Sequence, residues 1–266
     1  MVDDYTSTRI AKALANRGMA IGTWAFLNSP EVCEIAGMAG FDFILINMEH
    51  GLLGIESVVQ MIRAAEGRGI DSIIRLPDGS APMIAKVLDA GASGIFIPGV
   101  LTAKQATDIV KAAKFPPHGN RGFSPTTRAT GYGMKSAADY RNWNNQNIQV
   151  WITIENKEAL KNLASIMKSG VDGVITGRYD LSVSMGLNDA NHPKIQKIID
   201  RVTASASKNG VGVIGSHVQL DTPEKMLAAA RSWKARGARY MIFGKDCTIL
   251  AETYKTVVST FRDARL

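Results

Sequence analysis

The sequence predicts an α/β fold, a closed (β/α)₈ barrel of the TIM type, on three observations. Eight short runs of apolar and β-branched residues recur along a chain of 266 residues. Amphipathic stretches of about ten to fifteen residues alternate with these runs, which is the spacing of βα units. The length suits one barrel of about 250 residues. An open doubly wound sheet is the alternative for alternating elements. No Gly-rich nucleotide fingerprint follows the first run, where such a sheet would carry it.

In chain order, residues 6–17 predict an extra helix that closes the bottom of the barrel. Strands are predicted at 19–24, 43–47, 72–76, 94–97, 150–154, 173–176, 212–215 and 240–243. Several are apolar almost throughout, as parallel strands covered on both faces are. Helix signals lie between them. Ser29, Pro30 and Glu31 open a helix over 30–39, because Pro fits the first turn and an acid suits its dipole. Val58, Val59, Ile62 and Ala65 share one face of 55–68. Ser80 and Pro82 open 81–90, and Thr102 precedes 103–113. Helices at 157–167, 194–208, 223–236 and 248–261 complete the units. The connection 114–135, rich in Pro and Gly, reads as one long loop. Loops of that length in a compact domain usually carry function. With no linker or repeat, one domain over 1–266 is expected.

Hydrophobic residues make up 45% and charged residues 21% of the chain, enough apolar surface for a large core. The net charge of +7 fits either a solvated basic surface or steering of anionic substrates. The cations are scattered with no basic block, so no nucleic-acid partner is expected. Cys33 and Cys247 lie far apart without CxxC spacing. They form neither a disulfide framework nor a zinc motif, and they fit a reducing, cytoplasmic compartment. Residues 1–7 are polar and acidic, so no secretory leader is expected. No apolar run reaches the ~18 residues of a membrane helix.

In a barrel the chemistry sits where strands end. The second predicted strand ends in Asn47-Met48-Glu49-His50, and the third carries Arg75 near its end. Glu155 ends the fifth, and Gly177-Arg178-Tyr179-Asp180 follow the sixth. Ser216-His217 follow the seventh, and Gly244-Lys245-Asp246 the eighth. Singly, each acid reads equally well as a cap. Together they make a metal-assisted lyase plausible. Two carboxylates suit Mg²⁺ or Mn²⁺, which prefer oxygen ligands. Arg75 suits an enolate oxygen or a carboxylate, and an imidazole moves protons near neutral pH.

At these residues the chain resembles the HpcH/HpaI family of class II pyruvate aldolases. The resemblance runs from about Gly22 to Leu250. It rests on Phe41-Asp42-Phe43 through Glu49-His50-Gly51, on Ile74-Arg75-Leu76-Pro77, and on Leu88-Asp89-Ala90-Gly91-Ala92. Phe115-Pro116-Pro117 to Arg121-Gly122, Ile154-Glu155, and Gly177 through Tyr179-Asp180-Leu181-Ser182 extend it. The resemblance implies a barrel that cleaves or forms 4-hydroxy-2-oxo acids with a divalent ion, Mg²⁺, Mn²⁺ or Co²⁺. It implies that Glu155 and Asp180 ligate the metal, that His50 transfers protons, and that Arg75 stabilises the enolate. It implies that the backbone around Gly177, Arg178, Tyr179 and Asp180, at a helix start, receives the pyruvate carboxylate. It also implies a homohexamer whose dimers exchange a C-terminal helix. Aromatic-acid and sugar-acid breakdown both fit.

Three positions depart from the family pattern. Asn47 stands where an aspartate usually supports the histidine, which questions the basicity of His50. Thr153 stands for a frequent glutamine. Arg178 replaces a frequent proline, and either recruits a further anionic group or pairs with Glu155 or Asp180. Glu49 is read as a supporting residue. His217 and Trp24 are read as substrate contacts at the rim, Trp24 equally as packing. His118 is expected to face solvent and His192 to begin a helix. Arg121 is an interface, substrate or loop-bracing residue. Two other functions stand beside the aldolase: Schiff-base chemistry through Lys245, and a barrel that binds a carboxylate without turnover.

Overall fold

Eight parallel strands close on themselves in chain order. They are β1 (Ala20–Ala25), β2 (Phe43–Asn47), β3 (Asp71–Arg75), β4 (Gly94–Ile97), β5 (Gln149–Ile154), β6 (Gly173–Thr176), β7 (Gly212–His217) and β8 (Ala238–Lys245). Pairing of β8 with β1 completes the ring and rules out the open sheet. The computed structural model describes residues 7–217, 219 and 221–264.

Around the ring run α1 (Arg9–Arg17), α2 (Pro30–Met38), α3 (Ile55–Gly67), α4 (Ala81–Asp89), α5 (Ala103–Ala113) and α6 (Ala137–Asn147). They continue as α7 (Lys157–Lys161), α8 (Leu163–Ile166), α9 (Arg178–Ser184), α10 (Pro193–Lys208), α11 (Pro223–Ala235) and α12 (Asp246–Asp263). The expected single helix over 157–167 is interrupted at Asn162, whose side chain donates to Leu101 O at 2.9 Å. Residue 6, the expected start of the first helix, lies outside the described residues. His192 caps α10 through Nδ1, and His118 is exposed, both as expected.

Strand alternation sorts the apolar residues into two cores. Phe43, Leu45, Ile73, Phe96, Trp151 and Tyr240 pack inside the barrel. Ile44, Ile46, Ile74, Ile95, Ile152 and Ile154 face the helices. Cys33 belongs to that outer core, and burial pushes its thiol up to about 12, so it carries no thiolate reactivity. Continuing the inner register toward the strand ends places Asn47 and Glu49 beyond Leu45, and Arg75 beyond Ile73. By the same count Thr153 and Glu155 lie beyond Trp151. The polar residues of the mouth are the continuation of the packed inner ring.

The amino-terminal end is closed by α1. Its Ile10 and Ala13 join the inner core. Asp42 pairs with Arg9 and Arg17 and accepts from Ile21 N–H at 2.9 Å. Asp71 accepts from Ile10 N–H at 2.7 Å. Lys114 is buried and donates to Ile148 O at 2.6 Å and Asn145 O at 3.1 Å.

The long connection after α5 lies at this same end, away from the strand carboxyl termini. Arg121 is buried within it, donating to Asn144 Oδ1 at 2.6 Å and Asp89 Oδ1 at 2.5 Å. Its role is to brace the loop.

At the other terminus of the chain, α12 buries only Asp246. Leu250, Tyr254, Val257, Val258 and Phe261 leave its apolar stripe exposed. Among the described residues no helix is long and apolar enough to cross a membrane.

Candidate active site

The carboxyl ends of β1 to β6 bring most of the expected residues together. Glu155, the residue after β5, is buried and points inward. Its Oε1 accepts from Gly99 N–H at 2.6 Å. Close approach is allowed by Gly177, where an added Cβ would lie 2.8 Å from Glu155 Oε2 and 2.9 Å from Thr153 Cγ2. Burial raises the Glu155 carboxyl above its ordinary range, and the charges of Asp180 and Glu49 add to this. The Gly99 hydrogen bond and the Arg75 charge pull it down. Three carboxylates therefore share one field with a single guanidinium opposing them.

Arg75 ends β3 and is the register partner of Asn47 on β2. Its guanidinium lies 5.5 Å from the Trp24 ring and 5.3 Å from the Phe96 ring. The aromatic faces hold the cation in place without neutralising it. Its Nη2 pairs with Glu49 Oε2, which also meets His50 Nε2 at 3.4 Å. Trp24 is thus both a packing residue and the wall behind Arg75. His50 stands on the exposed turn after β2.

Asn47 does not reach the His50 imidazole. Its Oδ1 accepts from the N–H groups of Glu49 and His50, both at 3.0 Å, and so caps the turn. The imidazole finds its carboxylate in Glu49 instead. Arg178 forms no ion pair with Glu155 or Asp180 among the described residues. It donates to Asn191 Oδ1 at 3.0 Å and to the Tyr179 hydroxyl at 3.1 Å, with its guanidinium 4.9 Å from the Tyr179 ring. Asp180 is exposed in the first turn of α9. His217 ends β7 with Nε2 3.1 Å from Asp221 and its ring edge toward Phe243. The strand register turns it away from the inner ring, so it does not join Glu155 and Arg75.

Sequence reasoning missed two backbone-directed contacts. The Gly99 N–H that holds Glu155 has no side-chain signature. Asp246 accepts from Phe26 N–H and Leu27 N–H, each at 2.9 Å, and so fixes the loop after β1. Lys245 lies beside it with Nζ 5.2 Å from the Phe26 ring.

Among the described residues, five buried side-chain polar atoms lack a hydrogen-bond partner. Three of them, Asn47 Nδ2, Arg75 Nε and Thr153 Oγ1, lie at this mouth; a fourth, Glu49 Oε2, is held instead by its ion pairs with Arg75 and His50, and the fifth, Arg121 Nε, lies in the loop at the closed end. A cleft of about 510 Å³ opens past the ends of β3 to β5, lined by Glu49, Asp78, Gly99, Gln105 and Glu155. Buried polar groups are normally satisfied, so such a concentration marks a place where ligand atoms belong.

The family model of the HpcH/HpaI aldolase/citrate lyase family matches residues 20–244. The 5-keto-4-deoxy-D-glucarate aldolases of Shigella dysenteriae serotype 1 and Escherichia coli O6:H1 are each 31% identical to this chain. The matches cover 98% of this chain and 100% of each relative. Among solved structures, an HpcH/HpaI aldolase from Desulfitobacterium hafniense DCB-2 superposes with a TM-score of 0.84 at 26% identity, covering 94% of this chain and 96% of that one. The citrate synthase SbnG gives 0.82 at 25% identity, covering 95% and 97%. The chain belongs to the HpcH/HpaI aldolase/citrate lyase family and is a carbon–carbon lyase of the aldolase type.

Proposed function

We propose that the enzyme reversibly cleaves a 4-hydroxy-2-oxo acid to pyruvate and an aldehyde at the carboxyl mouth of the barrel. The observation that carries this reading is the buried Glu155, fixed by Gly99 beside Arg75 and surrounded by polar atoms that await partners. A sugar-acid substrate is favoured, because the relatives act on 5-keto-4-deoxy-D-glucarate.

Glu155 and Asp180 are the residues that would hold a divalent ion, Mg²⁺, Mn²⁺ or Co²⁺. The donor set fits: all oxygen, in a field of three carboxylates against one guanidinium. Among the described residues no three His, Cys, Asp or Glu side chains form a metal cage. The remaining ligands would be substrate and water oxygens. When bound, the ion supplies Lewis-acid polarisation of the 2-oxo group.

In cleavage, the 4-hydroxyl gives its proton to a base, and His50, oriented by Glu49, is the group suited to carry it. The C3–C4 bond breaks, its electron pair moves toward the C2 oxygen, and the aldehyde leaves. Arg75 opposes the negative charge that develops there. Protonation at C3 completes pyruvate. Gly177, Arg178, Tyr179 and Asp180 border the substrate at the start of α9, with Trp24 behind Arg75 and His217 farther out on the rim. Asn47 and Glu49 support the turn and the imidazole.

The enzyme works as one domain, 1–266, and as a homohexamer exchanging α12, whose exposed apolar stripe supports that assembly. Its free thiols support a cytoplasmic setting, with a small-molecule substrate and no membrane or nucleic-acid partner.

The test is pyruvate release from a panel of 4-hydroxy-2-oxo acids after EDTA treatment and again after adding Mg²⁺ or Mn²⁺. Activity is expected to vanish with EDTA and return with metal. No turnover by folded protein under any metal would defeat the aldolase reading.

A further inference from the structure

We propose that Asn47 is a catalytic hydrogen-bond donor, acting with Arg75 Nε on the oxo oxygen of the pyruvate half as that oxygen becomes an enolate. The inference rests on the aldolase reading above.

The orientation of the Asn47 amide is fixed by its partners. Two backbone N–H groups, of Glu49 and His50, donate to one and the same side-chain atom. That atom must be the oxygen, because an amide nitrogen could not accept them. The NH₂ group therefore occupies the other position. It is fully buried and has no partner. Its register partner across the β2–β3 ladder is Arg75, whose Nε is likewise buried without a partner. Both residues continue the inward-facing set of their strands, two positions beyond Leu45 and Ile73. Adjacent strands lie about 4.8 Å apart, so the two side chains stand side by side in the mouth.

Two unsatisfied donors side by side call for an acceptor. Neither can bind a cation or a protonated imidazole. An aspartate at position 47 could make the same two turn contacts with one oxygen, while its other oxygen would occupy the place of the NH₂. The exchange of one carboxylate oxygen for an amino group thus reverses the polarity at one point of the site and leaves the turn intact. His50 loses nothing in this arrangement, because its imidazole meets Glu49, not Asn47. The turn pre-orients the amide before substrate arrives, as a group that stabilises developing charge must be.

The experiment is Asn47→Asp, isosteric and still able to cap the turn, studied in the Mg²⁺-loaded enzyme. Donation to the enolate oxygen predicts that kcat for cleavage falls about 10²–10³-fold, the effect of losing one oxyanion donor, with a smaller rise in KM. Affinity for oxamate, a planar isostere of the enolate, measured by calorimetry, should fall at least about tenfold. If position 47 instead served the histidine, the aspartate would raise turnover. Equal or faster turnover, or unchanged oxamate affinity, overturns the proposal.

Should the aspartate variant not fold, Asn47→Ser can still cap the turn but removes the NH₂, and is judged by the same two readings. Exchange of the C3 protons of pyruvate in D₂O by the wild-type enzyme reports the enolate chemistry separately. Its absence, together with absent cleavage, would defeat the aldolase reading itself. Its presence alongside an unaffected Asn47→Asp would defeat only this inference.

Discussion

The two ends of the barrel are built from similar residues under opposite rules. At the amino-terminal end Asp42, Asp71, Asp172, Lys114 and Asn144 each find partners among backbone groups or opposite charges. At the carboxyl end Asn47, Arg75 and Thr153 are as buried or nearly so, yet each keeps a polar atom unmatched. Leaving such atoms unpaired costs about 1–3 kcal/mol each, and the closed end helps to bear that cost. Arg121 Nε apart, one end is finished by the chain itself, while the other waits for a ligand to finish it.

Substitutions at the two ends should therefore separate activity from stability. The largest effect is expected from Glu155→Ala, which removes the buried carboxylate. Pyruvate release should drop to background, while the melting temperature in EDTA should hold or rise, because a desolvated charge is gone. Retained activity would move the chemistry elsewhere. Gly177→Ala comes next. Its methyl would collide with Glu155 and Thr153, so metal affinity should fall about 10–100-fold, as when a ligand loses its positioning. Metal titration followed by activity checks this.

At the closed end the signs reverse. Lys114→Met leaves the desolvated Asp172 with Arg239 as its remaining cation and two carbonyls without the lysine donor. A loss of about 3 kcal/mol is expected in urea denaturation, with kcat and KM of the folded enzyme unchanged. A kinetic defect as large as the stability defect would show that the two ends are not independent.

The smallest effect concerns Asp71. Burial raises its carboxyl above the ordinary 3.8, outweighing the hydrogen bonds from Ile10 N–H and Ser93 that lower it. Between 3.8 and the raised value the folded protein holds more protons than the unfolded chain. The contribution of this group to stability therefore grows as pH falls through the folded value. The wild-type melting temperature should gain on that of Asp71→Asn as pH is lowered from 7 toward the ordinary carboxylate value of 3.8. A gap that narrows would contradict the sign.

The barrel was legible because each strand carries its own signal. The bounds of β2, β4 and β6 fall where the apolar runs place them. α6 was not legible. Its sequence is rich in Asn and buries only Tyr140 and Asn144, so no apolar stripe announces it. Asn144 is buried because Arg121 and Ala113 O satisfy it, a tertiary reason invisible in a local window. In the site, Arg75 and Glu155 could be found from their places at strand ends. The part of Asn47 could not. A short amide next to a turn bonds to its own backbone, and here that local choice prevailed over the expected link to His50.

The separation of the two apolar cores bears on descent as well as on folding. Residues such as Ile44, Ile74 and Ile152 fasten the wall to its helices from outside, while the inner register ends in Asn47, Arg75 and Thr153. A lineage can rewrite these inner tips one codon at a time without loosening the wall. New reactions can thus arise on this scaffold by point changes at a handful of sites, with the architecture inherited unaltered.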